Sequence, residues 1–218
     1  MNRAFPVLAI VLAAMFAYAP VMIVDAPYES TMGLVQKIFY FHVPAAMSMF
    51  AAAFVCGIAS AVYLFGRRPQ ADRVALAAAE LAALFGLVVL ATGPLWARKA
   101  WGVWWDWDAR LTSTLVLWLT FEAYLLLRRY GGPGSDRLAA GIGIFAMANV
   151  PFVYWSVNFW RTLHPKTTVV PSLQAGMREP FWFCAAAFLG LFVLMLVVRT
   201  RLEQRRAELE ELYLALDE

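Results

Sequence analysis

Six long runs of apolar residues, separated by short polar stretches, constrain the fold of this 218-residue chain more than any other feature. The runs cover 4–24, 45–65, 74–92, 112–127, 138–156 and 181–198. Each approaches the roughly 20 residues that a helix needs to cross bilayer hydrocarbon. Hydrocarbon offers backbone amides no partner, and no run shows the alternation of a barrel strand. We therefore expect an all-α membrane protein with six transmembrane helices.

The composition excludes a water-soluble monomer. Hydrophobic residues make up 62% of the chain and charged residues only 15%, whereas soluble domains carry about a quarter charged residues. The net charge of +3 is small, and the arginines flank apolar runs as topology determinants do, so nucleic acid is not an expected partner. Cys56 and Cys184 lie inside apolar runs and form neither a CxxC nor a CxxCH motif, which predicts two small core residues.

The distribution of basic residues predicts that both termini are cytoplasmic. With the N-terminus inside, eleven of the 18 lysines and arginines lie on the cytoplasmic side and seven outside, as the positive-inside rule requires. The first run is long for a signal peptide, and Pro20 directly after the AYA tripeptide would hinder cleavage, so we expect an uncleaved span.

The end of the chain differs from the rest. Residues 199–218 space four leucines among charged residues, which predicts an amphipathic helix at the cytoplasmic face. The chain is therefore divided into a six-helix transmembrane domain over 1–198 and a cytoplasmic tail over 199–218.

Three segments then face outward, at 25–44, 93–111 and 157–180, and the middle one holds five of the nine tryptophans. These are Trp96, Trp101, Trp104, Trp105 and Trp107. Tryptophan favours the bilayer interface, so an aromatic belt is one interpretation. A belt distributes its rings among several loops, whereas this concentration favours a platform on which a flat apolar ligand stacks. The sequence leaves both interpretations open.

The two histidines, His42 and His164, are both predicted at this outer surface. His42 precedes the second span, whose first turn Pro44 would suit, and His164 follows the fifth span. One histidine at a helix end is usually an interfacial hydrogen-bonding residue. Two of them beside a tryptophan cluster indicate a binding site, because imidazoles from separate loops could ligate haem iron from both sides. A zinc or copper site would usually add a cysteine or a third histidine.

Basic residues near the tryptophans suit the two propionates of haem. The candidates are Arg98, Lys99, Arg110 and Arg161. Each could instead contact a lipid phosphate. Asp108, close to Arg110, could form an ion pair that fixes the loop.

The stretch WGVWWDWDARLTS resembles the "WWD" signature of haem-handling membrane proteins. From FYFHVPAAM through this stretch to NVPFVYWSVNFWRTLHP, most of the chain resembles the cytochrome c maturation protein C family, also called haem exporter protein C. The resemblance implies that His42 and His164 are the external axial ligands of haem iron. It also implies a signature formed by Trp101, Gly102, Trp104, Trp105, Trp107, Asp108 and Arg110. Asp106 departs from the apolar residue of the family, and Pro165 and Lys166 replace a Gln-Gly pair.

The resemblance further implies a protein that holds b-type haem transiently on the outer face of the bacterial cytoplasmic (inner) membrane. It would present this haem to a membrane-anchored haem chaperone, whose own histidine captures a vinyl group. An ABC-type ATPase, its permease subunit and a small single-span protein would be further partners. The chain has no G-x-x-x-x-G-K-[ST] loop, so another subunit would use ATP. No nucleophile and base stand together, so an enzyme is not expected.

Two other functions fit parts of the sequence. An electron-transfer membrane anchor for b-type haem would also use two histidines, but within helices, whereas these are expected at helix ends. A transporter permease would show broken helices and polar groups at the bilayer midplane. Pro151 and Gly86 are weak signs of such breaks.

Overall fold

The computed structural model describes residues 4–30 and 32–216, and these residues form six α-helices. The helices are α1 (Ala4–Asp25), α2 (Phe39–Gly66), α3 (Pro69–Trp101), α4 (Ala109–Tyr130), α5 (Ser135–Phe159) and α6 (Arg178–Leu216). All six are long and apolar enough to cross a membrane, so the predicted all-α, six-span fold is confirmed. Residues 1–3 and 217–218, which begin and end the two predicted domains, lie outside the described residues. The division into domains and the orientation in the membrane stay predictions.

The second helix begins earlier than its apolar run. A short 3-10 helix (Leu34–Ile38) leads directly into α2 at Phe39, whereas the sequence predicted a start near residue 45. His42 therefore lies in the first turn of α2, and Pro44 lies inside the helix rather than at its start. The reason is packing: Phe39 and Tyr40 are buried in the bundle, so tertiary contacts extend the helix beyond the run that composition marks.

The third helix also exceeds its predicted span, since it ends at Trp101 rather than near residue 92. Gly102 follows with φ of 78°, a left-handed conformation that glycine adopts easily and that commonly ends helices. Nine of the 19 residues in the predicted loop 93–111 are thus the last part of α3, and three more begin α4. Residues 102–108 alone form the connection to α4.

The last helix, α6, has 39 residues, which gives a length of about 58 Å against a hydrocarbon thickness of about 30 Å. The predicted tail helix exists, but it is the uninterrupted continuation of α6 rather than a separate element. Where the tail begins, Arg199 pairs with Glu80 of α3 at 2.5 Å and with Glu203 at 2.8 Å. The pair with Glu80 holds the start of the tail against α3, whereas the pair with Glu203 lies within the tail.

Small residues bring the helices close together around α2. Buried alanines of α2 and α3 belong to one core cluster, including Ala45, Ala52, Ala53, Ala78, Ala79 and Ala82. Small side chains of this kind let membrane helices approach closely. At the contact with α5, a Cβ atom on Gly57 would lie 2.3 Å from Cβ of Met147, so no larger residue fits there without a shift.

Neither residue that hinted at a transporter breaks its helix. Pro151 lies inside α5, which runs without interruption to Phe159. Gly86 lies inside α3, where its missing side chain makes room for Trp118 of α4. The Trp118 indole N–H donates a hydrogen bond to the carbonyl of Ala83 at 3.0 Å. Gly86 therefore serves helix packing.

Candidate ligand-binding site between two histidines

One end of the bundle carries the candidate site. Here α3 turns into α4 through residues 102–108, and α5 into α6 through residues 160–177. The N-terminal end of α2, preceded by its 3-10 helix, lies beside these connections. We call this the histidine end, because His42 and His164 both lie there.

Two adjacent cavities open at the histidine end, and both histidines line both of them. Cavity A lies between α2, α3 and α4, and cavity B lies toward residues 164–182. The space between atoms, open solvent included, is about 700 Å³ at cavity A and about 1400 Å³ at cavity B. Their common walls are His42, Ala46, Trp96, Arg110, His164 and Pro165. Imidazoles that are 122 positions apart in the chain thus converge on one site.

His42 is buried, with 7% of its surface exposed, and its ring is held by α3. The Thr92 hydroxyl donates to the carbonyl of Val88 at 2.7 Å, so its oxygen is left to accept a hydrogen bond from His42 Nδ1, 2.8 Å away. The proton of the neutral imidazole is therefore assigned to Nδ1. Nε2 keeps its lone pair, which is the atom that a metal ion would bind.

His164 has the same tautomer for a different reason. Its Nδ1 lies 2.8 Å from the carbonyl oxygen of Pro165, and because a carbonyl can only accept, Nδ1 must carry the proton. Burial, assisted by the nearby guanidinium of Arg110, lowers the pKa of His164 to about 4. The ring is thus neutral at pH 7, and its Nε2 is also free of a proton.

Asp108 connects the tryptophan segment to the His164 segment. Its carboxylate accepts a hydrogen bond from the backbone N–H of Leu111 at 2.7 Å and so caps the N-terminus of α4. It also accepts one from the hydroxyl of Thr162. The oxygen of that hydroxyl in turn accepts the backbone N–H of His164 at 3.0 Å. Asp108 therefore supports the position of His164 through Thr162.

Arg110 does not form the ion pair with Asp108 that the sequence suggested. In the part of the chain that the structure describes, its guanidinium donates instead to the carbonyl of Val153 in α5 at 2.5 Å. It also lies 5.9 Å from the ring centroid of Phe50. This position, reached from the first turn of α4, places Arg110 in the wall of both cavities.

The five clustered tryptophans divide into two groups. Trp96, Trp101 and Trp105 line cavity A, and Trp96 stacks on Trp101 with ring centroids 6.5 Å apart and planes 16° apart. Trp96 also contacts His42 edge-on at 5.9 Å. Trp104 and Trp107 line neither cavity and are exposed at the surface, by 57% and 75%. The cluster is thus partly a cavity wall and partly an exterior surface.

The other predicted basic residues are not in the cavity walls. Arg98, Lys99 and Arg161 line neither cavity. Arg98 donates to the carbonyl of Gly102 and lies 5.9 Å from the Trp104 ring, so it stabilises the end of α3. Two cations that the sequence does not mark as site residues, Lys166 and Arg178, line cavity B. Lys166 follows His164 closely in sequence, but no local signal marks Arg178.

The fold and the site define a class: a helical membrane protein in which two neutral imidazoles and an indole wall share one pair of cavities. Comparison with known proteins specifies the family, because the family model Heme exporter protein C matches residues 1–214. The chain belongs to the heme exporter protein C family.

Several relatives cover most of the chain. Heme exporter protein C of Bradyrhizobium diazoefficiens is 38% identical over 194 residues, which are 86% of this chain and 73% of the relative. Heme exporter protein C of Escherichia coli is 32% identical over 201 residues, 87% and 80% of the two chains. A ccmC-like mitochondrial protein of Marchantia polymorpha, named for cytochrome c biosynthesis, is 33% identical over 193 residues, 87% and 82% of the two chains.

Proposed function

We propose that this chain binds haem between His42 and His164 and delivers it during the maturation of c-type cytochromes. One observation carries the proposal: the two imidazoles line the same cavities, and each has its proton on Nδ1 and its lone pair on Nε2. Haem iron, which already has four nitrogen ligands from the porphyrin, takes two such nitrogens as axial ligands.

The surroundings of the imidazoles suit a porphyrin. A flat ligand held between the two imidazoles would border both cavities, because His42 and His164 line both of them. The indoles of Trp101 and Trp105 offer the flat apolar macrocycle a stacking surface. Arg110 adds a cation to the wall of both cavities.

We place this site on the periplasmic side of the bacterial cytoplasmic membrane. The excess of lysine and arginine at the opposite end of the bundle supports this orientation. The names of the relatives support membership of a haem export complex, which we propose to include an ABC-type ATPase, its permease subunit and a small single-span protein. Bound haem is b-type and transient in this scheme, and it passes to a membrane-anchored haem chaperone.

The chain is proposed to act as a binding and delivery protein rather than an enzyme. The covalent attachment of a vinyl group belongs to the histidine of the chaperone in this scheme. Trp104 and Trp107 are exposed in the same connection as Trp105, which lines cavity A, and they form the surface that we assign to the chaperone contact. Aromatic residues of this kind are enriched at protein interfaces.

The test is an absorption spectrum of the full-length protein, purified from membranes with haem and reduced. We expect the spectrum of a six-coordinate, low-spin haem for the wild type and its loss in His42→Gly and in His164→Gly. Free imidazole should restore the spectrum in each glycine variant, because it can enter the space left by the ring. An unchanged haem spectrum in the His42→Gly/His164→Gly double variant refutes the proposal.

The same preparation separates this function from an electron-transfer anchor. A delivery protein should transfer its haem to the purified chaperone. When the two proteins are then separated, the Soret absorbance should be found in the chaperone fraction. Haem that stays on the chain and exchanges electrons reversibly with quinol would contradict delivery.

A further inference from the structure

The two cavities beside the histidine pair differ in charge. Among the described residues that line cavity A, the shared Arg110 is the one charged side chain. Cavity B adds two cations, Lys166 and Arg178, and no described carboxylate lines either cavity. A ligand that spans both cavities therefore meets an aromatic wall at one end and a cationic wall at the other.

We infer that Lys166 and Arg178 form a carboxylate-binding wall that fixes the orientation of haem, with its propionates in cavity B. The inference rests on the proposed function and specifies it. Both propionates leave the porphyrin from one edge, so a ligand held at its iron can place them in only one of the two cavities at a time. Placed in cavity A, the carboxylates would be desolvated against indole and alkyl groups, which is unfavourable.

The geometry of the two cations leaves donors available. Arg178 uses its Nε to donate to the carbonyl of Leu173 at 2.6 Å. This contact anchors the first turn of α6 and leaves the two terminal nitrogens of the guanidinium for a carboxylate, a pairing that the planar fork favours. Lys166 lies two positions beyond His164 on the same non-helical segment, so its position depends on that of one proposed axial ligand.

The orientation has a consequence for the other half of the porphyrin. The vinyl groups lie on the half opposite the propionates, so they enter cavity A beside Trp101 and Trp105. Trp105 belongs to the short connection 102–108, which also carries the exposed Trp104 and Trp107. The reactive edge of haem therefore lies under the surface that we assign to the chaperone.

The experiment compares haem with its dimethyl ester, in which both propionates are esterified and uncharged. Affinities are measured by spectral titration of the full-length protein in detergent. Both cations are exposed, so each ion pair contributes modestly, and we expect the wild type to bind haem about tenfold more tightly than the ester. The Lys166→Gln/Arg178→Gln variant should bind haem about tenfold more weakly than the wild type and no longer distinguish it from the ester.

The matched control is Lys99→Gln/Arg161→Gln, which removes two exposed cations of the histidine end that line neither cavity. It should keep the wild-type preference for haem over the ester. Equal binding of haem and ester by the wild type overturns the inference without any variant. Equal loss of preference in both double variants overturns it as well, because the effect would then be long-range charge alone.

Failure of the proposed function gives a different result from failure of this inference. If the histidines do not bind iron, the wild type lacks the low-spin spectrum with either ligand. If only the orientation is wrong, the low-spin spectrum is present with both ligands and their affinities agree.

Discussion

Replacement of Thr92 by valine tests whether the fixed tautomer of His42 matters for binding. Valine keeps the shape of threonine and exchanges the hydroxyl for a methyl group. The hydrogen bond from His42 Nδ1, 2.8 Å long in the structure, is then lost. The protonated Nδ1 is left buried without an acceptor, or the proton moves to Nε2 and blocks the lone pair that binds iron.

Both outcomes weaken haem binding, and the size of the effect can be stated. An unsatisfied buried donor costs about 1–3 kcal/mol. Loss of a partner that orients a metal-binding histidine typically lowers metal affinity about 10–100-fold, which corresponds to roughly 1.4–2.7 kcal/mol. Because His42 is 7% exposed, water cannot easily replace the hydroxyl. We therefore expect a loss of haem affinity in the range of about 10–100-fold for Thr92→Val.

The assay is a haem titration followed by the low-spin spectrum, with Thr92→Ser as the matched control. Serine keeps a hydroxyl that can donate to Val88 and accept from His42, so its affinity should stay close to that of the wild type. Circular dichroism of each variant checks that the helices are intact. Equal affinity of Thr92→Val and the wild type, with both folded, would show that the Thr92 contact does not control the ligand.

Three further predictions concern the loop support, the indoles and the helix packing. Thr162→Val removes the link between Asp108 and the backbone N–H of His164, so haem should dissociate several-fold faster. Thr162→Ser keeps the hydroxyl and should not change the dissociation rate. Equal dissociation rates of the two variants would contradict this prediction. Trp101→Leu should lower haem affinity about 2–10-fold by loss of stacking, while Trp107→Leu, which lines neither cavity, should leave affinity unchanged in the same titration. The Cβ atom of Gly57→Ala would lie 2.3 Å from Met147, so this variant should destabilise the bundle by about 1–3 kcal/mol. The measurement is thermal unfolding, and the control is Gly141→Ala, whose Cβ meets nothing within 4 Å. Equal melting temperatures of the two variants would show that the contact between α2 and α5 adjusts easily.

The sequence predicts the helices well because lipid requires long apolar runs, but it predicts their ends poorly. The start of α2 depends on the burial of Phe39 and Tyr40, which is a tertiary effect. The end of α3 depends on Gly102, whose φ of 78° ends the helix. The first 102 residues contain several other glycines within helices, so composition alone does not single this one out.

Two of the basic residues that the sequence suggests for the propionates, Arg98 and Lys99, lie in the last turn of α3 and not in a loop. In an extended loop, Arg98 and Lys99 could turn toward the same ligand as the tryptophans. In the helix, the side chains of Arg98 and Lys99 are exposed, and neither lines a cavity.

The sequence could predict that His42 and His164 lie at the same end of the bundle. They were expected in the first and fifth connections between spans, and all odd-numbered connections lie on one side of the membrane. Arg178 could not be placed in this way, because it lies fourteen positions beyond His164 and reaches cavity B through the fold of residues 160–177. Arg178 is the first residue of α6, so its place beside cavity B depends on the path of the preceding non-helical connection, which leaves no periodic signal. The positions that sequence analysis misses here are therefore those set by the path of a connection.

The two proposed axial ligands are held in unequal ways, and this inequality suits a protein that must release what it binds. His42 is fixed between two helices, α2 through its backbone and α3 through Thr92. His164 stands on the non-helical residues 160–177, which Thr162 connects to Asp108. Segments outside packed helices open at lower free energy than the core of a bundle. Under the proposed function, a small movement of this connection frees one face of the iron while His42 retains the other.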